Sequence, residues 1–173
     1  MIEAFEMEDK EVLIHEIMDA YGQEILQLAF SYVKNKAVAE DLTQDIFVKC
    51  YQSFHTYSGK SKLRTWLWRI AINHCKDYLK SWYTKNVVIT ETELSYRGTK
   101  KETVEQDVIQ KDEDDRLAST VMSLPLNYRE VIYLFYFEEM TIKEISDVIS
   151  VNENTVKTRL RRAKELLKVQ LEG

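Results

Sequence analysis

The chain has 173 residues, 45% of them hydrophobic and 31% charged, with a formal net charge of -5 at pH 7. Its 4 Gly and single Pro (Pro125) favour a helix-rich globular protein over a sheet or a disordered chain, and the length fits one ordinary domain or two small helical ones. The longest apolar run, Val131 to Phe137, is far too short to span a membrane, and the acidic start MIEAFEMEDKE lacks the basic segment and apolar core of a signal peptide, so a cytoplasmic protein is expected.

Between residues 9 and 34, apolar positions recur at helical spacing: Leu13, Ile17, Tyr21, Ile25, Leu28 or Ala29, and Tyr32. A break near Gly22 divides them into two predicted helices. A third helix starts around Ala37, with Leu42, Ile46, Cys50 and Phe54 inward and Glu40, Asp41, Gln44 and Asp45 outward. Carboxylates near a helix start complement its dipole. That acidic face therefore reads either as a well-formed helix start or as a docking face for a basic surface.

Turn chemistry around Ser58-Gly59 marks HTYSGKS as a loop. Leu63, Trp66, Leu67, Ile70, Ala71, His74 and Tyr78 then describe a long helix from about Ser61 to Ser81. Its remaining surface mixes Arg64, Arg69, Asn73, Lys76 and Lys80 with Trp68, Trp82 and Tyr83. Basic groups interleaved with aromatics, beside a loop carrying Tyr57, suit unstacked single-stranded bases. The same aromatics also suit a core, and Trp66 is assigned there.

Residues 86–115 change character, because acidic side chains outnumber basic ones and apolar periodicity fades; this is a linker. Order returns with Leu117, Val121 and Leu124 in a helix stopped near Pro125. Asn127 and Glu130 offer a capping box to a helix containing Val131, Leu134 and Phe135. Thr141 and Glu144 offer another, ahead of Ile142, Ile145 and Ile149. Asn152 caps a last helix carrying Val156, Leu160, Ala163 and Leu167. Only the Ser150-Val151 corner joins these last two helices, so they cross steeply as a helix-turn-helix.

With Val156 placed inward, Asn154, Thr158, Arg161 and Glu165 face outward, flanked by Lys157 and Arg162. Short polar groups and Arg donors near a helix N-terminus suit base edges in a major groove, and the surrounding cations suit phosphates. A solvated cationic face is the plainer alternative.

A net negative charge argues against a protein that grips DNA unaided. The charge is unevenly spread, however: Lys60, Lys62, Arg64, Arg69, Lys76, Lys80 and Lys85 form one basic block and Lys157 to Lys168 another. Cys50 and Cys75 form neither a CxxC nor a Cys/His cluster and are expected as buried thiols. His15, His55 and His74 are scattered, and nothing in the pattern calls for a catalytic constellation, a metal or a cofactor.

Four segments, AEDLTQDIF at 39–47, SKLRTWLWRIAINHCKDYL at 61–79, LPLNYREVIYL from Leu124 and EIS…NTVKTRLRRAKELL, together resemble the extracytoplasmic-function class of bacterial RNA polymerase sigma factors. The resemblance covers nearly the whole chain except the linker. It implies an all-α protein of two small helical domains, at 10–84 and 113–171, joined by an acidic flexible linker at 85–112, with the helix-turn-helix in the C-terminal domain.

The same resemblance implies a role for each face. Glu40, Asp41, Gln44, Asp45 and Phe47 would dock on the β′ clamp helices of core RNA polymerase. Tyr57, Lys60, Ser61, Arg64, Trp68 and Asn73 would recognise and help melt the minus-10 promoter element. Asn154, Lys157, Thr158, Arg161 and Arg162 would read the minus-35 element, while the C-terminal domain also touches the β flap. An anti-sigma factor, often membrane-bound, would mask these surfaces.

Two departures from the family pattern stand out. Ser150 takes the place of a usual Gly in the turn, where an unusual backbone angle costs a non-Gly residue about 1 kcal/mol. Glu138-Glu139 precede Thr141 where a Gly is common, placing negative charge close to the DNA-binding unit. A stand-alone helix-turn-helix regulator, dimeric on a palindrome, is the alternative reading, but it gives the block at 39–83 no obvious purpose.

Overall fold

The computed structural model of the chain describes residues 2–87 and 113–173, and every regular element among them is helical. The acidic linker expected at 85–112 lies outside the described residues from position 88 onward. Two compact units are present, one built on the first three helices and the other on the C-terminal helices.

The first unit opens with α1, Ile2–Val33, a single helix where the sequence predicts two. Gly22 lies inside it, half-buried, with nothing within 4 Å of where a Cβ would sit. An interior Gly costs about 1 kcal/mol relative to Ala. Burial of Ile17, Ile25 and Leu28 around it, each at most 3% exposed, offsets that cost several times over. The helix stops at Lys34, whose backbone turns left-handed (φ 58°) while its N–H donates to the Phe30 carbonyl at 2.9 Å. Asn35 then caps α2, Lys36–Ser53, its side chain accepting from the Val38 N–H at 3.1 Å. Leu42, Ile46, Phe47 and Cys50 of α2 are buried.

A short 3-10 turn, Phe54–Thr56, takes in Phe54, and α3 spans Leu63–Val87, six residues beyond the end predicted for it. Between them Gly59 adopts φ 78°, the backbone that the Ser58-Gly59 turn requires of it. Trp66, Leu67, Trp68, Ala71, Ile72 and Cys75 of α3 are in the core.

The second unit contains α4, Glu113–Ser123, then α5, Leu126–Ile132, which runs on into a π-helical turn at Tyr133–Phe137. Val121 and Leu124 are buried as expected, but Leu117 is 42% exposed. The capping box expected of Asn127 and Glu130 does not form. Pro125, with φ -52°, stands at the N-cap, so the helix begins two residues too early for Asn127 to cap it. Glu130 is buried instead, as is Arg129, whose Nη1 donates to the Leu124 carbonyl at 2.9 Å and so satisfies an acceptor left by the end of α4.

α6, Ile142–Ile149, and α7, Glu153–Glu172, complete the chain. Ile145, Val148 and Ile149 of α6 and Val156, Leu160 and Ala163 of α7 are buried.

Candidate nucleic-acid interface and docking face

The corner between α6 and α7 is held by its own polar groups. The Thr141 hydroxyl accepts from the Glu144 N–H at 3.1 Å, and the Glu144 carboxylate accepts from the Thr141 N–H at 3.3 Å, closing the predicted capping box. Ser150 turns left-handed (φ 59°), and the Val151 N–H reaches back to the Ser146 carbonyl at 3.3 Å, as in a Schellman ending. One residue on, Asn152 Oδ1 accepts from both the Thr155 N–H and the Thr155 hydroxyl at 2.8 Å. Three local devices thus fix where α7 starts and in which direction it points.

At 100° per residue, Lys157, Arg161, Asn154, Thr158 and Arg162 occupy an arc of about 140° on α7. The buried stripe of Val156, Leu160 and Ala163 lies on the other side. Asn154, Lys157, Arg161 and Arg162 are exposed and Thr158 is half-buried, so all five stand together on one groove-sized face. A shallow depression of about 330 Å³ at the start of this face is lined by Asn152, Asn154, Thr155, Thr158, Arg159 and Arg162. Arg159 is an addition to the residues expected from sequence. It is half-buried and lies outside the outward arc, and it borders this depression beside Asn154, Thr158 and Arg162.

The basic aromatic block of the first unit is less unified than its sequence. Trp68 is fully buried, edge-on to Tyr21 with ring centroids 5.5 Å apart, and the Arg64 guanidinium lies 4.9 Å from its ring centroid. The expected role of Trp68 as a base platform is corrected accordingly: Thr65, Trp66, Leu67 and Trp68 are four consecutive buried residues, a wider arc than one amphipathic stripe would cover. Tyr57 is half-buried against Trp66 at 5.4 Å between centroids, and its hydroxyl donates to the Ser61 carbonyl at 2.8 Å, which ties the loop to the start of α3. Lys60 is exposed, while Ser61 and Arg64 are half-buried beside it. Asn73 is exposed but, nine residues beyond Arg64, lies about half a turn away around the helix.

On α2, Glu40, Asp41, Gln44 and Asp45 are all exposed and share an arc of about 140°. Because the helix begins at Lys36, no acidic residue lies in its first turn, so the dipole no longer accounts for this face. Val48 is 54% exposed near the centre of the same arc. Phe47, expected on the docking face, is 5% exposed and belongs to the core. The side chain of His74, on α3, is 16% exposed, with Nε2 3.6 Å from Asp45 Oδ2.

Cys50 and Cys75 are fully buried free thiols, their pKa pushed up to about 12 by burial. Among the described residues no group of His, Cys, Asp and Glu could hold a metal ion, and no helix is long and apolar enough to cross a membrane.

A helix-turn-helix with a basic outward face is joined in one chain to a helical unit with an acidic face, and both units match families of transcription initiation factors. Residues 17–83 match the family Sigma-70 region 2, and residues 114–167 match Sigma-70, region 4. The chain is 33% identical over 162 residues to the RNA polymerase sigma factor SigV of Bacillus subtilis (strain 168), covering 94% of this chain and 92% of that one. It is 31% identical over 163 residues to the ECF RNA polymerase sigma factor SigW of the same organism, covering 90% and 87%. Two solved structures share the fold. CnrH, in complex with the cytosolic domain of CnrY, has a TM-score of 0.66 at 23% identity, covering 94% of this chain and 89% of that one. The sigma factor RpoE of Bartonella quintana, in complex with the anti-sigma factor NepR, has a TM-score of 0.63 at 19% identity, covering 91% and 96%.

The chain belongs to the extracytoplasmic-function family of RNA polymerase sigma factors. It is a sigma factor that binds core RNA polymerase and directs promoter-specific transcription initiation.

Proposed function

We propose that three faces divide this work and that the chain performs it in the cytoplasm without enzymatic activity of its own. The observation that carries the proposal is the α7 arc, where Asn154, Lys157, Thr158, Arg161 and Arg162 stand together opposite a buried stripe. That face reads the minus-35 element, with Arg and Asn on base edges and the flanking cations, Arg159 among them, on phosphates. Tyr57, Lys60, Ser61 and Arg64, at the loop entering α3, act on the minus-10 element. Asn73 serves from a separate face, and Trp68 supports the platform from within the core.

The acidic face of α2 docks on core polymerase through Glu40, Asp41, Gln44 and Asp45. Val48 supports that reading, because an exposed β-branched residue amid carboxylates suits a protein partner better than it suits solvent. With a net charge of -5, the free chain binds DNA weakly, and the polymerase supplies most of the non-specific attraction. An anti-sigma factor that covers these faces belongs to the same reading. It is supported by the complexes in which CnrH and RpoE were solved, one with the cytosolic domain of CnrY and the other with the anti-sigma factor NepR.

The test is transcription in vitro with the purified chain and core polymerase, followed by mapping of start sites. Promoter-selective starts that need both components are expected. Equal affinity of the free chain and the holoenzyme for promoter duplex at physiological salt would overturn the division of labour.

A further inference from the structure

The geometry points to Glu165 as the residue that sets the specificity of Arg161, an inference that rests on reading α7 as the minus-35 helix. Arg161 Nη1 and Glu165 Oε1 lie 3.8 Å apart, one turn from each other, and the side chains are 65% and 66% exposed. A solvated pair of this kind adds little to stability. Nor does it help affinity, because Glu165 falls within the same outward arc as Arg161 and Thr158, where a carboxylate repels phosphates. The pair does change which partners Arg161 accepts.

On non-specific DNA the guanidinium meets phosphate oxygens, which carry no sequence information and for which the Glu165 carboxylate is a direct competitor. A guanine edge offers O6 and N7 together, a bidentate acceptor pair that matches the guanidinium fork. A phosphate can take the fork bidentately too, but phosphates line the rims of the groove, whereas Arg161 and Glu165 both lie near the middle of the outward arc, so a guanidinium held against Glu165 stays aimed at base edges rather than at the backbone. Glu165 therefore acts as a positioning residue, holding Arg161 back from indifferent sites and yielding it to a guanine in the major groove.

The experiment uses the full-length chain with core polymerase and measures the ratio of occupancy on a cognate promoter to that on a non-promoter competitor duplex. Glu165→Gln keeps the shape and removes the charge. It should lower this ratio about two- to fivefold, the range set by an exposed ion pair, through tighter competitor binding. In an Arg161→Ala background the same substitution should leave the ratio unchanged, because the relieved repulsion of phosphates acts on both duplexes alike. An unchanged ratio, or an equal fall in that background, would overturn the inference and leave Glu165 a diffuse negative charge. Arg161→Ala alone separates the two possible failures. Lost minus-35 selectivity with an unresponsive Glu165 overturns only this inference, whereas unchanged selectivity overturns the reading of α7 as well.

Discussion

His74 Nε2 lies 3.6 Å from Asp45 Oδ2, too far for a hydrogen bond, with the imidazole largely buried and the carboxylate 62% exposed. Burial, reinforced by the positive charge of Lys49, holds the His74 pKa below its ordinary 6.5, although Asp45 and Asp77 pull it back upward. The unfolded chain therefore takes up a proton at His74 before the folded one does. By linkage, stability is full above about pH 6.5 and falls as the pH drops through that value towards the lowered folded pKa. Urea midpoints measured between pH 8 and pH 5.5 should decline on the acid side, and His74→Gln should flatten that decline. Parallel declines in both proteins would assign the effect to other groups.

Trp68 and Lys60 separate a core role from a surface role within the same basic block. Trp68 is fully buried, so Trp68→Ala should cost about 3–5 kcal/mol, seen as a large drop in the unfolding midpoint, and Trp68→Phe should recover part of it. Lys60 is exposed. Lys60→Ala should leave the midpoint unchanged and slow promoter opening, measured by reactivity of unpaired thymines around the minus-10 element. A stable Trp68→Ala protein with only an opening defect would return the indole to the DNA surface.

These two residues also show how far the sequence could be read. Helical spacing found the helices themselves, because most present a single apolar stripe, and the capping chemistry of Thr141, Glu144 and Asn152 gave the C-terminal corner its boundaries. Trp68 was beyond such reasoning: α3 is enclosed around most of its circumference at its start, a property of its neighbours that no period of 3.6 can encode. The same holds for Gly22, where a local cost of about 1 kcal/mol is overridden by Ile25 and Leu28 packing nearby. In the candidate sites, the polar arc on α7 and the acidic arc on α2 followed from spacing alone. Val48 falls at the centre of the acidic arc by the same spacing and is missed only because it is apolar, whereas Arg159 and the burial of Phe47 lie at the edges of their arcs, where helical spacing alone does not decide exposure.

Ser150 holds a left-handed backbone (φ 59°) where the side chain crowds the following carbonyl. Ser150→Gly should raise stability by about 0.5–1 kcal/mol, part of the relief being offset by the greater freedom of Gly in the unfolded chain. Ser150→Val should lower stability, because a β-branched residue tolerates this region least. Thermal unfolding of the three proteins gives the ranking, and a Val variant as stable as Gly would contradict the strain.

Asn152 and Asn127 are both suggestive caps in sequence, and only the first caps a helix. Asn152→Ala should cost about 1 kcal/mol and weaken minus-35-dependent transcription by loosening the start of α7. Asn127→Ala, on an exposed side chain, should be close to neutral in both respects. Equal effects of the two substitutions in thermal unfolding would mean that the cap at Asn152 carries no special weight.

The acidic face of α2 is best probed away from Asp45, because a charge reversal there also disturbs His74. Asp41 is exposed on the same arc, between Glu40 and Gln44 in sequence and one turn from Asp45. Asp41→Arg should leave the unfolding midpoint within about 0.5 kcal/mol of the parent. In competition for core polymerase it should bind at least about tenfold more weakly, since a like charge set against a basic partner costs more than the loss of one pair. Val48→Ala should weaken the same association with little change in its salt dependence, which separates the apolar centre of the face from its charged surround. Normal co-purification of Asp41→Arg with core polymerase would remove α2 from the docking surface and leave its carboxylates as solvated side chains.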